Sequence, residues 1–174
     1  MRRIAGLTCI ALLALGACSR GDNPDALFDG GDRQIEDQFG TVLGPDGQPI
    51  APSSRQFFDE VIGDRVFFAV DEHQLSQAAT AVLDQQASWL LANAAGTITI
   101  EGHADEQGTR DYNIALSNRR AAAVRDYLVT RGIPDRQLTI VPFGKERPVE
   151  ICSAEACYSK NRRAVTVLAP GAGA

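Results

Sequence analysis

The stretch that most restricts the fold is residues 97–134, "TITIEGHADEQGTRDYNIALSNRRAAAVRDYLVTRGIP". Its first eight residues alternate with period two, the pattern of a strand, which Gly102 brings to an end. Thr109 then stands where an N-cap belongs. The spacing becomes helical up to about Arg131, with Gly132 and Pro134 as the stop. On that helix Tyr112, Leu116, Ala123 and Tyr127 share one face, and Arg120 falls in the middle of it. A cation centred in an apolar stripe is costly unless something anionic meets it there. The segment therefore predicts a strand, a turn and a long helix that carries a charge needing a counterpart.

The neighbouring segments extend the same alternation. "RVFFAV" (65–70) reads as a strand, and 75–93 carries Leu75, Ala79, Val82, Leu83, Trp89 and Leu90 at helical spacing behind a cap at or just before Ser76. "QLTIVPFG" (137–144) is a third strand. A short helical piece at 154–161 leads into a last strand, "RAVTVLA" (163–169). Strands separated by helices predict an α/β sandwich, a four-stranded sheet with helices on one face and at least one parallel pair.

The N-terminus sets the compartment. In "MRRIAGLTCIALLALGAC", Arg2 and Arg3 precede a short apolar run, and Gly16 and Ala17 precede Cys18. The run is too short to cross a bilayer comfortably, so residues 1–17 read as a secretory signal. "LGAC" resembles a bacterial lipobox, which makes Cys18 the lipidated first residue of the mature chain. Ser19 after the cysteine implies, by resemblance to Gram-negative lipoproteins, the outer membrane. Residues 18–56 are rich in Gly, Pro, Asp and Ser without periodicity, and read as a disordered acidic tether. At full extension its reach is on the order of 120–130 Å. The folded domain is expected over 57–169, with 170–174 a flexible tail.

Cysteine usage follows from export. Of four cysteines, Cys9 lies in the signal and Cys18 is the lipid site, which leaves Cys152 and Cys157 for a local disulfide in an oxidising compartment. The formal net charge of −5 provides no excess of cations to neutralise phosphates, which argues against nucleic acid. His73, His103 and Glu106 are too few and too local for a metal centre. No Ser-His-Asp or Cys-His arrangement suggests an enzyme, and no cofactor is expected.

"IEGHADEQGTRDYNIALSNRRAAAVRDYLVTRGI", then "FGKERP", then "YSKNRRAVTV" together resemble the OmpA-like peptidoglycan-binding domain, in particular its lipid-anchored branch. The resemblance covers 57–169 and implies the β/α/β/α/β-β fold of that family, a mixed four-stranded sheet. It implies binding of the peptidoglycan stem peptide through meso-diaminopimelate, with Asp105 and Arg120 holding that residue's free end, and with Val70, Asp71, Asn113 and Leu116 as further contacts. It also implies an outer-membrane lipoprotein of the Tol–Pal system acting in envelope integrity and division, with TolB, and also TolA, as partners. A lipoprotein that binds peptidoglycan outside the Tol system is the alternative.

The chemistry of the residues agrees with that implication. The far end of diaminopimelate carries a carboxylate and an ammonium on one carbon. The planar fork of arginine matches the carboxylate, and an aspartate accepts from the ammonium. Without ligand, Asp105 and Arg120 are expected to pair with each other. Glu101 and Glu106 read as solvent-side acids, and Arg162 and Arg163 as packing residues. Where the family usually has an aromatic residue before the aspartate, this chain has Val70, so one aromatic wall is expected to be missing.

Overall fold

The computed structural model describes residues 40–93 and 96–169. In chain order the elements are α1 (Arg55–Phe57), which runs into a π-helical turn at Phe58–Gly63, β1 (Arg65–Phe67), α2 (Gln77–Asn93), β2 (Ile98–His103) and α3 (Arg110–Thr130). They continue with β3 (Leu138–Gly144), α4 (Glu155–Asn161) and β4 (Arg163–Leu168). The sheet order is β1-β4-β2-β3, with β2 and β3 parallel and the other pairs antiparallel. The parallel pair is joined through α3, as a parallel connection requires.

The core forms where the two periodicities meet. Val66, Ile98, Ile100, Leu138, Ala164 and Leu168 come from the strands. Leu83, Leu90, Ala121, Val124 and Leu128 come from α2 and α3, and all of these are buried in one cluster. One buried polar pair crosses it in satisfied form. Thr166 Oγ1 donates to Gln86 Oε1 at 2.9 Å, and Gln86 Nε2 donates to the Gly63 carbonyl at 2.6 Å.

Local signals place the helices. Thr109 Oγ1 accepts from the Tyr112 amide at 3.3 Å and Ser76 Oγ accepts from the Ala79 amide at 3.1 Å, so both expected caps form. Gly132, at φ +100°, closes α3. β2 runs one residue past Gly102, to His103, with a shift of register between the two, and Gly102 serves packing instead. A Cβ there would lie 2.0 Å from the Ser117 carbonyl oxygen, so only glycine lets α3 approach β2 this closely.

Two boundaries differ from the sequence reading. β1 stops at Phe67 instead of running to Val70, because the carbonyls of Phe68 and Ala69 accept from Arg162 and Arg120 rather than from a neighbouring strand. Asp71 then turns the chain at φ +60°. Order also begins before Phe57. Ile50 is buried in the core, and Trp89 Nε1 donates to the Pro52 carbonyl at 2.7 Å. These contacts escape a reading by composition, since one isoleucine and one proline carry them. The expected signal, the lipid site at Cys18, most of the tether and the expected tail lie outside the described residues.

Candidate functional site

The C-terminal end of β2, the start of α3 and the turn after β1 meet around a cavity of about 260 Å³. All six residues expected to contact a ligand line it: Val70, Asp71, Asp105, Asn113, Leu116 and Arg120, joined by Gln107, Gly108 and Tyr112.

Arg120 is 0 % exposed and is held by three backbone carbonyls. Its Nε donates to Glu72 at 2.8 Å, Nη1 to His103 at 2.9 Å and Nη2 to Ala69 at 3.2 Å. The Phe68 ring lies 5.2 Å from the guanidinium carbon. These contacts use three of the five guanidinium N–H groups, one on each nitrogen, and leave one N–H on each Nη. Among the described residues no carboxylate forms an ion pair with it. Burial pushes its pKa down to about 10, opposed by the charges of Asp105 and Asp71 and reinforced by those of Arg162 and Arg119. The side chain is a fixed, desolvated cation at the edge of a cavity.

The expected Asp105–Arg120 pair does not form. Asp105 is 8 % exposed, and its Oδ2 accepts from Arg162 Nη1 at 3.2 Å, while Oδ1 accepts from the Gln107 amide at 3.2 Å. Arg162, read from sequence as a packing residue, is therefore the partner of the site aspartate. Its Nε donates to the Phe68 carbonyl at 3.1 Å, and its guanidinium also grips Glu155. The hydrogen bond to Glu155 is the chief reason its pKa is raised, and Glu155 is correspondingly lowered. The reason for the exchange is positional. The Arg120 fork is already oriented by carbonyls from the β1 turn and β2, whereas Arg162, at the head of β4, reaches the loop after β2. The only sequence signal for this was the doubled arginine of "NRR", which does not say which arginine faces where.

The rim is built from side chains acting on backbone. Asn113, buried on α3, donates through Nδ2 to the Gln107 carbonyl at 2.8 Å and to the Asp105 carbonyl at 3.4 Å, so it shapes the 105–107 loop. Leu116 is buried beside it, and Val70 is exposed. Tyr112, at 42 % exposure, donates its hydroxyl to Asp71 and gives the cavity an aromatic surface from the helix side. Helical spacing places this tyrosine on the apolar face and assigns it no ligand contact. Its place one turn before Leu116 and two before Arg120 was the usable clue.

Further residues find other roles. Glu106 accepts from Tyr158 Oη at 2.9 Å and from Ser153 Oγ at 3.2 Å. Arg163 is buried and donates to the carbonyls of Asn161 and Arg147. His103 is buried on the sheet face opposite Gly102, with neither ring nitrogen hydrogen-bonded. Cys152 and Cys157 are joined in a disulfide. Among the described residues no group of three His, Cys, Asp or Glu side chains is placed to hold a metal ion.

Fold and cavity together define a small α/β domain with a polar groove at the C-terminal end of β2. Residues 67–162 match the OmpA family. A peptidoglycan-associated lipoprotein of Rhizobium meliloti strain 1021 is 52% identical over 75% of this chain and 74% of its own. One from Mesorhizobium japonicum is 42% identical over 99% of each chain. The crystal structure of the peptidoglycan-associated lipoprotein from Burkholderia pseudomallei superposes with a TM-score of 0.60 at 36% identity, covering 64% of this chain and 96% of that one. The C-terminal domain of Helicobacter pylori MotB shares the fold with a TM-score of 0.57 at 18% identity, over 61% of this chain and 84% of that one. The chain belongs to the OmpA family.

Proposed function

We propose that this chain is a non-enzymatic outer-membrane lipoprotein, anchored by lipid at Cys18, whose domain holds peptidoglycan noncovalently by the meso-diaminopimelate of a stem peptide. The observation that carries the reading is Arg120. A buried guanidinium fixed by three carbonyls, with no carboxylate partner among the described residues and an N–H left on each Nη, lies beside a cavity that also holds a carboxylate. A ligand carboxylate would supply the missing counter-charge, and the ligand ammonium would reach Asp105, whose second carboxylate oxygen is already fixed by Arg162. Tyr112 offers its ring to the aliphatic part of the ligand.

The names of the relatives support the same ligand class. From the sequence resemblance to the lipid-anchored OmpA-like proteins we further propose work within the Tol–Pal system during division, with TolB as periplasmic partner and TolA as a second. Co-purification with TolB separates this from a role outside that system. The binding site is tested on isolated sacculi, where Asp105→Ala and Arg120→Ala are each expected to abolish most co-sedimentation. Wild-type retention by both variants would overturn the site.

A further inference from the structure

The turn between β3 and β4 lies outside the groove but ends on it. Its helix, α4, has seven residues and starts at Ala154 without a side-chain cap. A helix this short and uncapped gains little from its own hydrogen bonds. The Cys152–Cys157 bridge spans that start. Two further ties close the same turn: Asn161 Oδ1 accepts from the Val149 amide at 2.8 Å, and Lys160 pairs with Glu150 at 2.9 Å.

Side chains from the bridged turn reach the loop that carries the site aspartate, Ser153 and Tyr158 directly and Glu155 through Arg162. Glu155 holds Arg162, and Arg162 holds Asp105. Tyr158 and Ser153 both donate to Glu106, the residue next to Asp105. Ser153 and Glu155 lie inside the six-residue span the bridge closes, and Tyr158 directly follows it. On its other side the loop is held by the Asn113 side-chain amide and by Lys145, whose Nζ donates to the carbonyls of Glu106 at 3.3 Å and Gly108 at 2.9 Å.

We infer that the Cys152–Cys157 bridge, with Glu155 and Arg162, forms a positioning brace for Asp105 and so sets how tightly the groove holds a cationic group. The inference rests on the groove being the diaminopimelate site. The bridge touches no ligand. It acts by fixing where Glu155 stands, which fixes the Arg162 fork, which fixes Oδ2 of Asp105, while Oδ1 accepts from the Gln107 amide and the residue lines the cavity.

The test is a binding cycle on the folded chain, with a soluble muropeptide carrying meso-diaminopimelate as the probe and calorimetry as the readout. Cys152→Ser/Cys157→Ser is expected to weaken binding about three- to tenfold, and Glu155→Gln, which keeps the bridge, about two- to threefold, in keeping with a partly exposed ion pair. In an Asp105→Asn background, which is itself expected to bind poorly, neither change should weaken binding further, because the brace acts through that carboxylate. A merely stabilising bridge predicts a lower melting temperature with wild-type affinity, or the same weakening in both backgrounds, and either result would overturn the inference. If the serine variant does not fold, Glu155→Gln carries the cycle alone, and wild-type affinity for it is equally fatal. Wild-type affinity in Asp105→Asn alone would instead overturn the groove assignment.

Discussion

Two buried arginines flank the same groove, and they are neutralised in opposite ways. Arg162 sits between two carboxylates, Asp105 and Glu155, with one more bond to a carbonyl. Among the described residues the hydrogen-bond partners of Arg120 are all oxygens of neutral peptide groups. The first is a closed ion-pair network, whose partners raise its pKa. The second is a desolvated charge pushed down to about 10, since carbonyl dipoles orient a cation without cancelling it. A compensated arginine holds structure together, and under the proposed function the uncompensated one receives the ligand carboxylate.

The strongest way to break this contrast is to move the element that carries Arg120. Gly102→Ala places a methyl group 2.0 Å from the Ser117 carbonyl oxygen, and this contact is with backbone that cannot rotate away. The expected cost is about 3 kcal/mol or more, with loss of the groove, read from denaturant unfolding. Unfolding within 1 kcal/mol of wild type would mean that α3 can shift without harm. Next is Arg162→Met. It leaves Asp105 buried without its partner and should cost about 2–4 kcal/mol, lowered toward the smaller figure because Glu155 is solvent-exposed. That stability loss should appear with no ligand present.

Arg120→Lys sharpens the comparison from the other side. The charge stays but the fork goes, so affinity for a diaminopimelate peptide should fall about tenfold to a hundredfold, the loss of one or two charge-assisted bonds. A stem peptide with lysine in place of diaminopimelate lacks the carboxylate and should lose a similar factor against the wild-type chain, since Arg120 is then unmatched. The lysine variant should discriminate poorly between the two peptides. Retained discrimination would place the carboxylate somewhere other than Arg120.

The fold was legible because its signals are local and repeated. Period-two runs, the caps at Thr109 and Ser76 and the stop at Gly132 each fix one element, and their order fixes the layering. The groove was legible in membership, since all six expected residues line it. Its internal pairing was not. Asp105 is fifteen residues from Arg120 and fifty-seven from Arg162, yet it pairs with the distant one, because sheet order puts β4 between β1 and β2. Sequence spacing gives no measure of that neighbourhood. Tyr112 was missed for a related reason: helical spacing says which residues share a face, not where along the helix the covering layer ends.

The smallest effect concerns His103, whose carbonyl holds Arg120 while its ring points to the opposite sheet face. The ring stacks on Phe143 at 5.4 Å, and Glu101 stands 3.5 Å from Nε2 without an aligned hydrogen bond. Burial, and then the charges of Arg163, Arg147 and Arg65, push the imidazole pKa down to about 3 from an ordinary 6.5. The unfolded chain therefore binds a proton that the folded chain refuses over this interval. Stability from the neutral ring is complete above about pH 6.5 and is lost as pH falls toward 3, with a slope of at most about 1.4 kcal/mol per pH unit. Carboxylates titrate in the same range, so the informative quantity is a difference. His103→Gln should flatten the stability profile between pH 6 and 4 relative to wild type, whatever its effect at neutral pH. Identical slopes would mean that the ring takes up its proton in the folded state, with Glu101 as its partner, and that the underside of the Arg120 cradle is electrostatically closed in the way the Arg162 side is.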